Sequence, residues 1–140
     1  MQYNCQPSST NPIIGNLTKA LNGEYTAIHF YEQLAKLAPT PEIQKRILEI
    51  RQDEIRHYHG FATIYTSLTG HSPSPQITEA LPTDFKSGVL AAFKDEQEAV
   101  DFYHRVARQC HITYISEQFR SNAADEQNHA VWFLFFMTHS

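Results

Sequence analysis

The sequence lacks the features of a membrane protein or a nucleic-acid binder. No apolar run reaches the roughly 18 residues that a spanning helix needs, and the first residues, MQYNCQPSSTNPII, have neither the basic start nor the apolar core of a signal peptide. Acidic side chains outnumber basic ones by 15 to 11, for a formal charge of -4, whereas a nucleic-acid binder would show a basic stripe. We therefore expect a cytoplasmic protein whose partners include neither a membrane nor a nucleic acid.

Cysteine is also scarce, because Cys5 and Cys110 are the only two and form no C-x-x-C pair. Cysteines this far apart in sequence, outside any paired motif, indicate free thiols in a reducing compartment. A chain of 140 residues can bury a core without a disulfide or a structural zinc ion. We expect a single domain over residues 1–140.

Glycine and proline are few, and they separate four stretches in which apolar residues recur at helical spacing. Pro39-Thr40-Pro41 ends the first helix and begins the second, with Thr40 as the N-cap and Pro41 at the first helical position. The predicted segments are a loose tail over 1–11, helices over 13–38 and 41–69, a proline-rich connection over 70–82, a helix from 83 or 84 to about 109, a turn at 110–113 and a helix to about 137. Short, long and short connections predict an all-α fold, an antiparallel four-helix bundle with one long crossover between helices 2 and 3, which then run parallel.

The same acidic and histidine residues occur twice, at an offset of 72. Glu24 matches Glu96, and the Glu54-x-x-His57 pattern matches Glu126-x-x-His129 without a gap. Further matches at this internal repeat are Asp53/Asp125, Phe30-Tyr31/Phe102-Tyr103, Ala27/Ala99 and Phe61/Phe133. One Glu-x-x-His pattern would carry little information, but two at the same offset as two single glutamates indicate a shared site.

Hairpin geometry predicts that these residues meet. Residues equally far from a short turn lie at the same height in an antiparallel hairpin, and the midpoint of Glu24 and Glu54 is residue 39, in the first short turn. The midpoint of Glu96 and Glu126 is residue 111, in the second short turn. Each pair lies roughly 20 Å from its turn, and the i, i+3 spacing places each histidine on the face of its glutamate. Two packed hairpins would bring four carboxylates and two imidazoles to one level.

Four carboxylates buried at one level need positive charge to neutralise them, and two divalent cations supply it. The predicted metal ligands are Glu24, Glu54, His57, Glu96, Glu126 and His129. Mixed carboxylate and imidazole ligands suit two iron ions, and also manganese, a mixed-metal pair or zinc, but exclude a soft thiolate site. We expect Glu54 and Glu126 to bridge or chelate the ions, the other two glutamates to be terminal ligands, and each histidine to hold one ion.

Four further residues are predicted to support these ligands. Asp53 and Asp125 precede the ligand glutamates and are placed to accept the free imidazole N–H groups across the bundle. Tyr31 and Tyr103 follow the two single glutamates by two helical turns. Their hydroxyls would bond a ligand carboxylate or lie on an electron path, or the rings would simply fill the core.

Glu98 presents an alternative ligand on the third helix. It lies about 200° around the helix from Glu96, so both side chains cannot point into one site. Asp95 and Glu98 have the i, i+3 spacing but break the 72-residue correspondence. We therefore prefer Glu96.

The ligand pattern resembles that of the ferritin-like di-iron carboxylate superfamily, and the short chain looks most like its rubrerythrin branch. Residues 53–57, Asp-Glu-Ile-Arg-His, are also similar to the D-E-x-R-H motif of larger di-iron oxygenases, in which the Asp supports the Glu and His ligands. The resemblance covers residues 13–137. It implies a ferritin-like bundle with a di-iron site.

The chain departs from the patterns of these relatives at several places. It has no rubredoxin-like domain with paired C-x-x-C motifs, so the resemblance implies an external electron donor. Ala99 stands where rubrerythrins carry a further glutamate that exchanges with a histidine as the irons change oxidation state, which favours a symmetric site here. Asn128 stands where the oxygenase motif has arginine, and the short fifth helix of cage-forming ferritins is missing.

The resemblance favours a di-iron oxidoreductase that reduces hydrogen peroxide or dioxygen, a rubrerythrin-like peroxidase, and we expect a homodimer. One alternative is a ferroxidase or an iron-storage or iron-delivery protein, without turnover of a small-molecule substrate. A second is an oxygenase with an organic substrate beside the metals. A third is a metal-free helical interaction module.

Overall fold

The computed structural model describes residues 12–140, and every secondary-structure element among them is an α-helix. The helices are α1 (Pro12–Lys36), α2 (Pro41–Thr69), α3 (Phe85–Gln109) and α4 (Thr113–His139). The predicted all-α four-helix fold is confirmed, with helix ends within two residues of those predicted. The tail predicted over residues 1–11 lies outside the described residues.

The turn between α1 and α2 is built as its sequence predicts. Thr40 is extended and its Oγ1 accepts the N–H of Ile43 at 3.2 Å, while Pro41 occupies the first helical position, where no backbone donor is needed. Helix α1 ends two residues before its predicted end. The reason is that Leu37 and Ala38 donate to carbonyls three residues back, which tightens the last turn beyond an α-helix.

Local caps also bound the long crossover between α2 and α3. Gly70 ends α2 with φ 76°, a conformation that glycine adopts without strain, and its N–H reaches Thr66 O at 2.8 Å. Asp84 begins α3 by accepting the N–H of Ser87 at 3.2 Å. The crossover therefore starts and ends at sites that the sequence marks.

Contacts across the bundle establish how the hairpins are oriented. Tyr31 bonds Glu96 and Tyr103 bonds Glu24, so α1 and α3 run in opposite directions. Because α1 and α2 form an antiparallel hairpin, α3 runs parallel to α2. The predicted crossover topology is confirmed.

The core consists of two apolar clusters. Between them lies a layer of buried glutamates and histidines, here called the polar level. On α1 the first cluster ends at Leu21 and the second begins at Phe30, with the buried Glu24 between them. On α2, Ile50 belongs to the second cluster and Phe61 to the first. Both ends of the polar level are therefore closed by apolar side chains.

The prediction of free thiols is wrong at Cys110, which is disulfide-bonded, and no free cysteine occurs among the described residues. Cys5 lies outside those residues. Distance along the sequence, on which the prediction rested, does not determine distance in the fold. The argument for a reducing compartment, which rested on free thiols, therefore does not hold. The cytoplasmic location stays a prediction. Over residues 12–140, no helix has the length and apolar character needed to cross a membrane.

Candidate metal centre

The six predicted metal ligands lie together in the polar level between the two apolar clusters. Each exposes 3% or less of its surface. Helices α1 and α3 each supply one glutamate, and α2 and α4 each supply a glutamate and a histidine on one helical face. This placement follows from the equal distances of the paired residues from their turns.

The ligand atoms form two overlapping groups, within each of which all atoms lie within 4.8 Å of one another. The groups are Glu24, Glu54, His57, Glu126 and Glu54, Glu96, Glu126, His129. Glu54 and Glu126 belong to both groups. They therefore occupy the positions from which a carboxylate can contact two ions.

Each histidine contacts an aspartate of the opposite hairpin. His57 Nε2 lies 2.7 Å from Asp125 Oδ2, and His129 Nε2 lies 2.8 Å from Asp53 Oδ2. When Nε2 donates its proton to the carboxylate, Nδ1 keeps a free lone pair that faces the glutamates. The aspartates thus favour the tautomer that a metal ligand requires.

Arg56 joins these two aspartates on the α2/α4 side of the bundle. Its Nη2 lies 2.7 Å from Asp53 Oδ1 and 3.4 Å from Asp125 Oδ2. Burial raises the pKa of Asp53, but the bonds from His129 and Arg56 outweigh burial and lower it below its usual range. Arg56 is not among the residues that the sequence predicts for the site, although it stands at the arginine of the D-E-x-R-H pattern.

The two tyrosines donate hydrogen bonds to ligand carboxylates on the facing helix. Tyr31 O–H reaches Glu96 Oε2 at 2.6 Å, and Tyr103 O–H reaches Glu24 Oε2 at 2.5 Å. Burial and the nearby carboxylate charges raise the pKa of both hydroxyls, so they remain protonated donors. The tyrosine and aspartate contacts are each related to their counterparts by the offset of 72.

The unpaired polar atoms of the cluster fit a pair of cations. All six residues keep one buried atom without a hydrogen-bond partner, namely Glu24 Oε1, Glu54 Oε1, His57 Nδ1, Glu96 Oε1, Glu126 Oε1 and His129 Nδ1. Among the described residues only Asn122 adds another such side-chain atom. His57 Nδ1 lies 3.0 Å from Glu54 Oε1, and His129 Nδ1 lies 3.2 Å from Glu126 Oε1, so these atoms face one another across the space that a cation would fill. Oxygen and imidazole nitrogen together suit divalent iron or manganese.

The pKa shifts of ligand residues in the cluster also favour bound cations. Burial, and then the charges of Glu54 and Glu126, raise the pKa of Glu24 well above its usual range. Burial and the charge of Glu54 raise the pKa of Glu96 to about 8. Burial lowers the pKa of His57, but the surrounding carboxylates outweigh burial and raise it. Without cations the cluster therefore retains protons that metal ions would displace.

A cavity of about 220 Å³, here called the α1/α3 cavity, reaches the cluster between α1 and α3. Ligand glutamates form its inner end, Ala27 and Ala99 lie along its walls, and Glu79 of the crossover lines its outer part. The small side chain at Ala99 leaves this space open. Neither histidine is among its lining residues.

Glu98 and Asp95 line the α1/α3 cavity but belong to neither ligand group. Both are exposed, whereas Glu96 exposes 2% of its surface. Although the residue is exposed, partial burial of its carboxyl group and the neighbouring Glu79 raise the pKa of Asp95 to about 8. The structure therefore brings Glu96, and not Glu98, into the cluster.

Comparison with known proteins agrees with this arrangement. The rubrerythrin family model matches residues 15–84, half of the chain, which include Glu24, Glu54 and His57. The chain belongs to the rubrerythrin family. The uncharacterized protein YhjR of Bacillus subtilis is 50% identical to this rubrerythrin-family chain over 132 residues, which cover 94% of this chain and 91% of YhjR.

Two solved structures share the fold of this rubrerythrin-family protein. A hypothetical protein of Pyrococcus furiosus has a TM-score of 0.77 and 17% identity, with 90% of this chain and 88% of that one covered. A two-domain protein of Anabaena variabilis, with DJ-1/ThiJ/PfpI-like and ferritin-like domains, has a TM-score of 0.80 and 17% identity, with 95% of this chain and 41% of that one covered. Identities this low show the ferritin-like fold alone.

Proposed function

We propose that this protein is a di-iron oxidoreductase that reduces hydrogen peroxide or dioxygen, with peroxide as the favoured substrate. The observation that carries the proposal is the set of six buried, unpaired ligand atoms in two overlapping groups. Membership of the rubrerythrin family supports iron as the metal. We propose that the electrons come from an external donor.

The side chains would divide the work of holding two ions. Glu24 and His57 would hold one, the equivalent pair on α3 and α4 would hold the other, and Glu54 and Glu126 would contact both. When bound, two adjacent ferrous ions supply one electron each, which with two protons reduce one hydrogen peroxide to two waters.

The surrounding residues would prepare the site for this chemistry. The aspartates would hold the Nε2 proton of each imidazole, so that Nδ1 is the atom that gives up its proton to a metal ion, and the tyrosine hydroxyls hold the two terminal carboxylates in place. The apolar clusters exclude water from both ends of the polar level, and the α1/α3 cavity admits a small oxidant.

The test loads the protein with ferrous iron without oxygen, mixes it with peroxide or with dioxygen, and follows the diferric absorption. Loading of about two irons per chain, with much faster oxidation by peroxide, is the expected result. Faster oxidation by dioxygen would favour a ferroxidase or oxidase. Failure to load iron would contradict the metal centre.

The ligand assignment makes a separate prediction about bound metal. Glu54→Ala and Glu126→Ala should each sharply reduce the metal content, because each removes a carboxylate common to both ligand groups. Glu98→Ala is the matched control, since Glu98 is exposed and outside both groups. The number of metal ions bound per chain is measured in each purified variant. Loss of metal from the Glu98 variant would contradict the choice of Glu96.

Metal handling is a second candidate function, favoured by the acidic residues Glu79, Asp95 and Glu98 along the α1/α3 cavity. A ferroxidase or an iron-storage or iron-delivery protein would use such a cavity to pass metal rather than substrate. Measurement of the particle size separates the two candidates. A homodimer, as predicted, supports the redox enzyme, whereas a large cage supports storage.

A further inference from the structure

We propose that divalent cations enter the buried cluster through the α1/α3 cavity, and that Glu79 and Asp95 at its mouth form a transit site for them. The route rests on the proposed function, because its inner end is the metal centre proposed above. The site at the mouth lies outside both ligand groups.

The inner end of the cavity offers the next contacts to an entering cation. Glu24 and Glu96 both line the cavity, and each has a buried Oε1 without a hydrogen-bond partner. Their residues expose 1% and 2% of their surface. A cation released from the mouth would therefore meet unpaired carboxylate oxygens.

The mouth places carboxylates from two different elements side by side. Glu79 comes from the crossover and Asp95 from α3, and both line the same cavity. Glu98 adds a third acidic group to the lining. The one basic lining residue, Lys19, has its Nζ 4.4 Å above the Phe102 ring. The balance of charge along the cavity is therefore negative.

The crossover holds Glu79 at the mouth through hydrogen bonds to α1. The Thr78 N–H donates to Thr26 Oγ1 at 2.9 Å, and the Gln76 N–H donates to Asn22 Oδ1 at 2.9 Å. Thr78 is the residue before Glu79. The mouth is thus built by the folded crossover rather than by a free loop.

The opposite side of the cluster is less suited to an entering cation. There the imidazoles bond Asp53 and Asp125, and the Arg56 guanidinium lies against both aspartates. A cation approaching from this side would meet a fixed positive charge and would have to break the imidazole contacts. The α1/α3 cavity has one basic lining residue, Lys19, against the acidic Glu79, Asp95 and Glu98, and no imidazole contact closes it.

The test measures how fast the metal-free protein takes up Co²⁺, using stopped-flow absorbance at low salt. The double variant Glu79→Gln/Asp95→Asn should take up Co²⁺ at least about tenfold more slowly than the wild type, while still binding two ions per chain, because steering by fixed charge acts on the rate of entry. The control Asp101→Asn/Glu117→Gln makes the same two kinds of substitution at exposed positions outside the cavity lining and should keep the wild-type rate. Raising the salt should shrink the difference.

Glu79→Gln alone changes only an exposed crossover residue, and it should slow uptake about threefold. Wild-type uptake rates in both Glu79 variants, or equal slowing in the control, would overturn the transit site. Because the number of ions bound and the rate of uptake are separate readouts, the two proposals can fail separately. Binding of no Co²⁺ by the wild type would overturn the metal centre and the route with it.

Discussion

In the neutral His57 ring, Asp125 favours the tautomer that carries its proton on Nε2. Its Oδ2 lies 2.7 Å from Nε2, so the carboxylate favours a proton there and leaves Nδ1 free to bind metal. Asp53 does the same for His129 at 2.8 Å. These aspartates act on the metal only through the rings that they orient.

We expect Asp125→Asn to weaken metal binding about 10–100-fold. The amide can turn its NH₂ group towards Nε2, which favours the tautomer with the proton on Nδ1 and removes the lone pair. Titration of Co²⁺ against a competing chelator measures the affinity. Asp101→Asn, at an exposed position on α3, is the control, and Asp53→Asn should produce a similar loss. Unchanged affinity in the Asp125 variant would show that the contact has no role in binding.

Some positions of individual residues in the site can be predicted from the sequence pattern, and others cannot. The meeting of Glu24 with Glu54 follows from their equal distances to a turn, which requires only residue numbers. The position of Arg56 between two aspartates does not follow, because it depends on side-chain conformations on two helices. The α1/α3 cavity depends on the small side chain at Ala99 and on the path of the crossover, and the sequence pattern does not predict that path.

The crossover is the element whose structure the sequence predicts least. Helix ends follow from local caps, such as Thr40 and Gly70, and agree within two residues. The course of the crossover along α1 instead depends on Thr26 and Asn22, which are distant in sequence and belong to no motif. Buried Thr26 is the stronger candidate for an anchor, since its Oγ1 contacts both the N–H and the hydroxyl of Thr78.

We expect Thr26→Val to loosen the crossover while the bundle stays folded. The change keeps the side-chain shape but removes the acceptor of the Thr78 N–H, which costs roughly 1 kcal/mol. Hydrogen exchange at the Thr78 amide should become faster. Thr18→Val is the matched control, because that hydroxyl bonds only the carbonyl of Ile14 within α1. Equal protection of Thr78 in the wild type and the Thr26 variant would exclude the anchoring role.

At the scale of the whole molecule, the residues that would bind metal also lower the stability of the metal-free protein. Two apolar clusters hold the ends of the bundle together, while the cluster between them contains four buried carboxylates. Without cations these carboxylates repel one another, and each keeps one oxygen without a hydrogen-bond partner. Protons can relieve part of this repulsion, and metal ions can relieve it only by displacing the protons.

This competition predicts that the metal-free protein loses stability as the pH rises. The pKa of Glu96 is about 8 in the folded protein against an ordinary value of 4.5, because burial and the charge of Glu54 disfavour its ionised form. Between these values the folded state binds more protons than the unfolded state, so the free energy of unfolding falls with increasing pH. The raised pKa values of His57 and His129 act in the same direction above pH 6.5.

We therefore expect the melting temperature of the metal-free protein to fall from pH 5 to pH 8. One such group contributes roughly 1 kcal/mol per pH unit, which corresponds to a few degrees. Metal binding releases the same protons, so the rise in melting temperature on adding two equivalents of Co²⁺ should increase over this range. Thermal unfolding of both forms at each pH measures the two trends. In metal-free Glu96→Gln the slope should be smaller, because that position no longer titrates. A constant or rising melting temperature in the metal-free wild type would mean that the buried carboxylates are already ionised at pH 5.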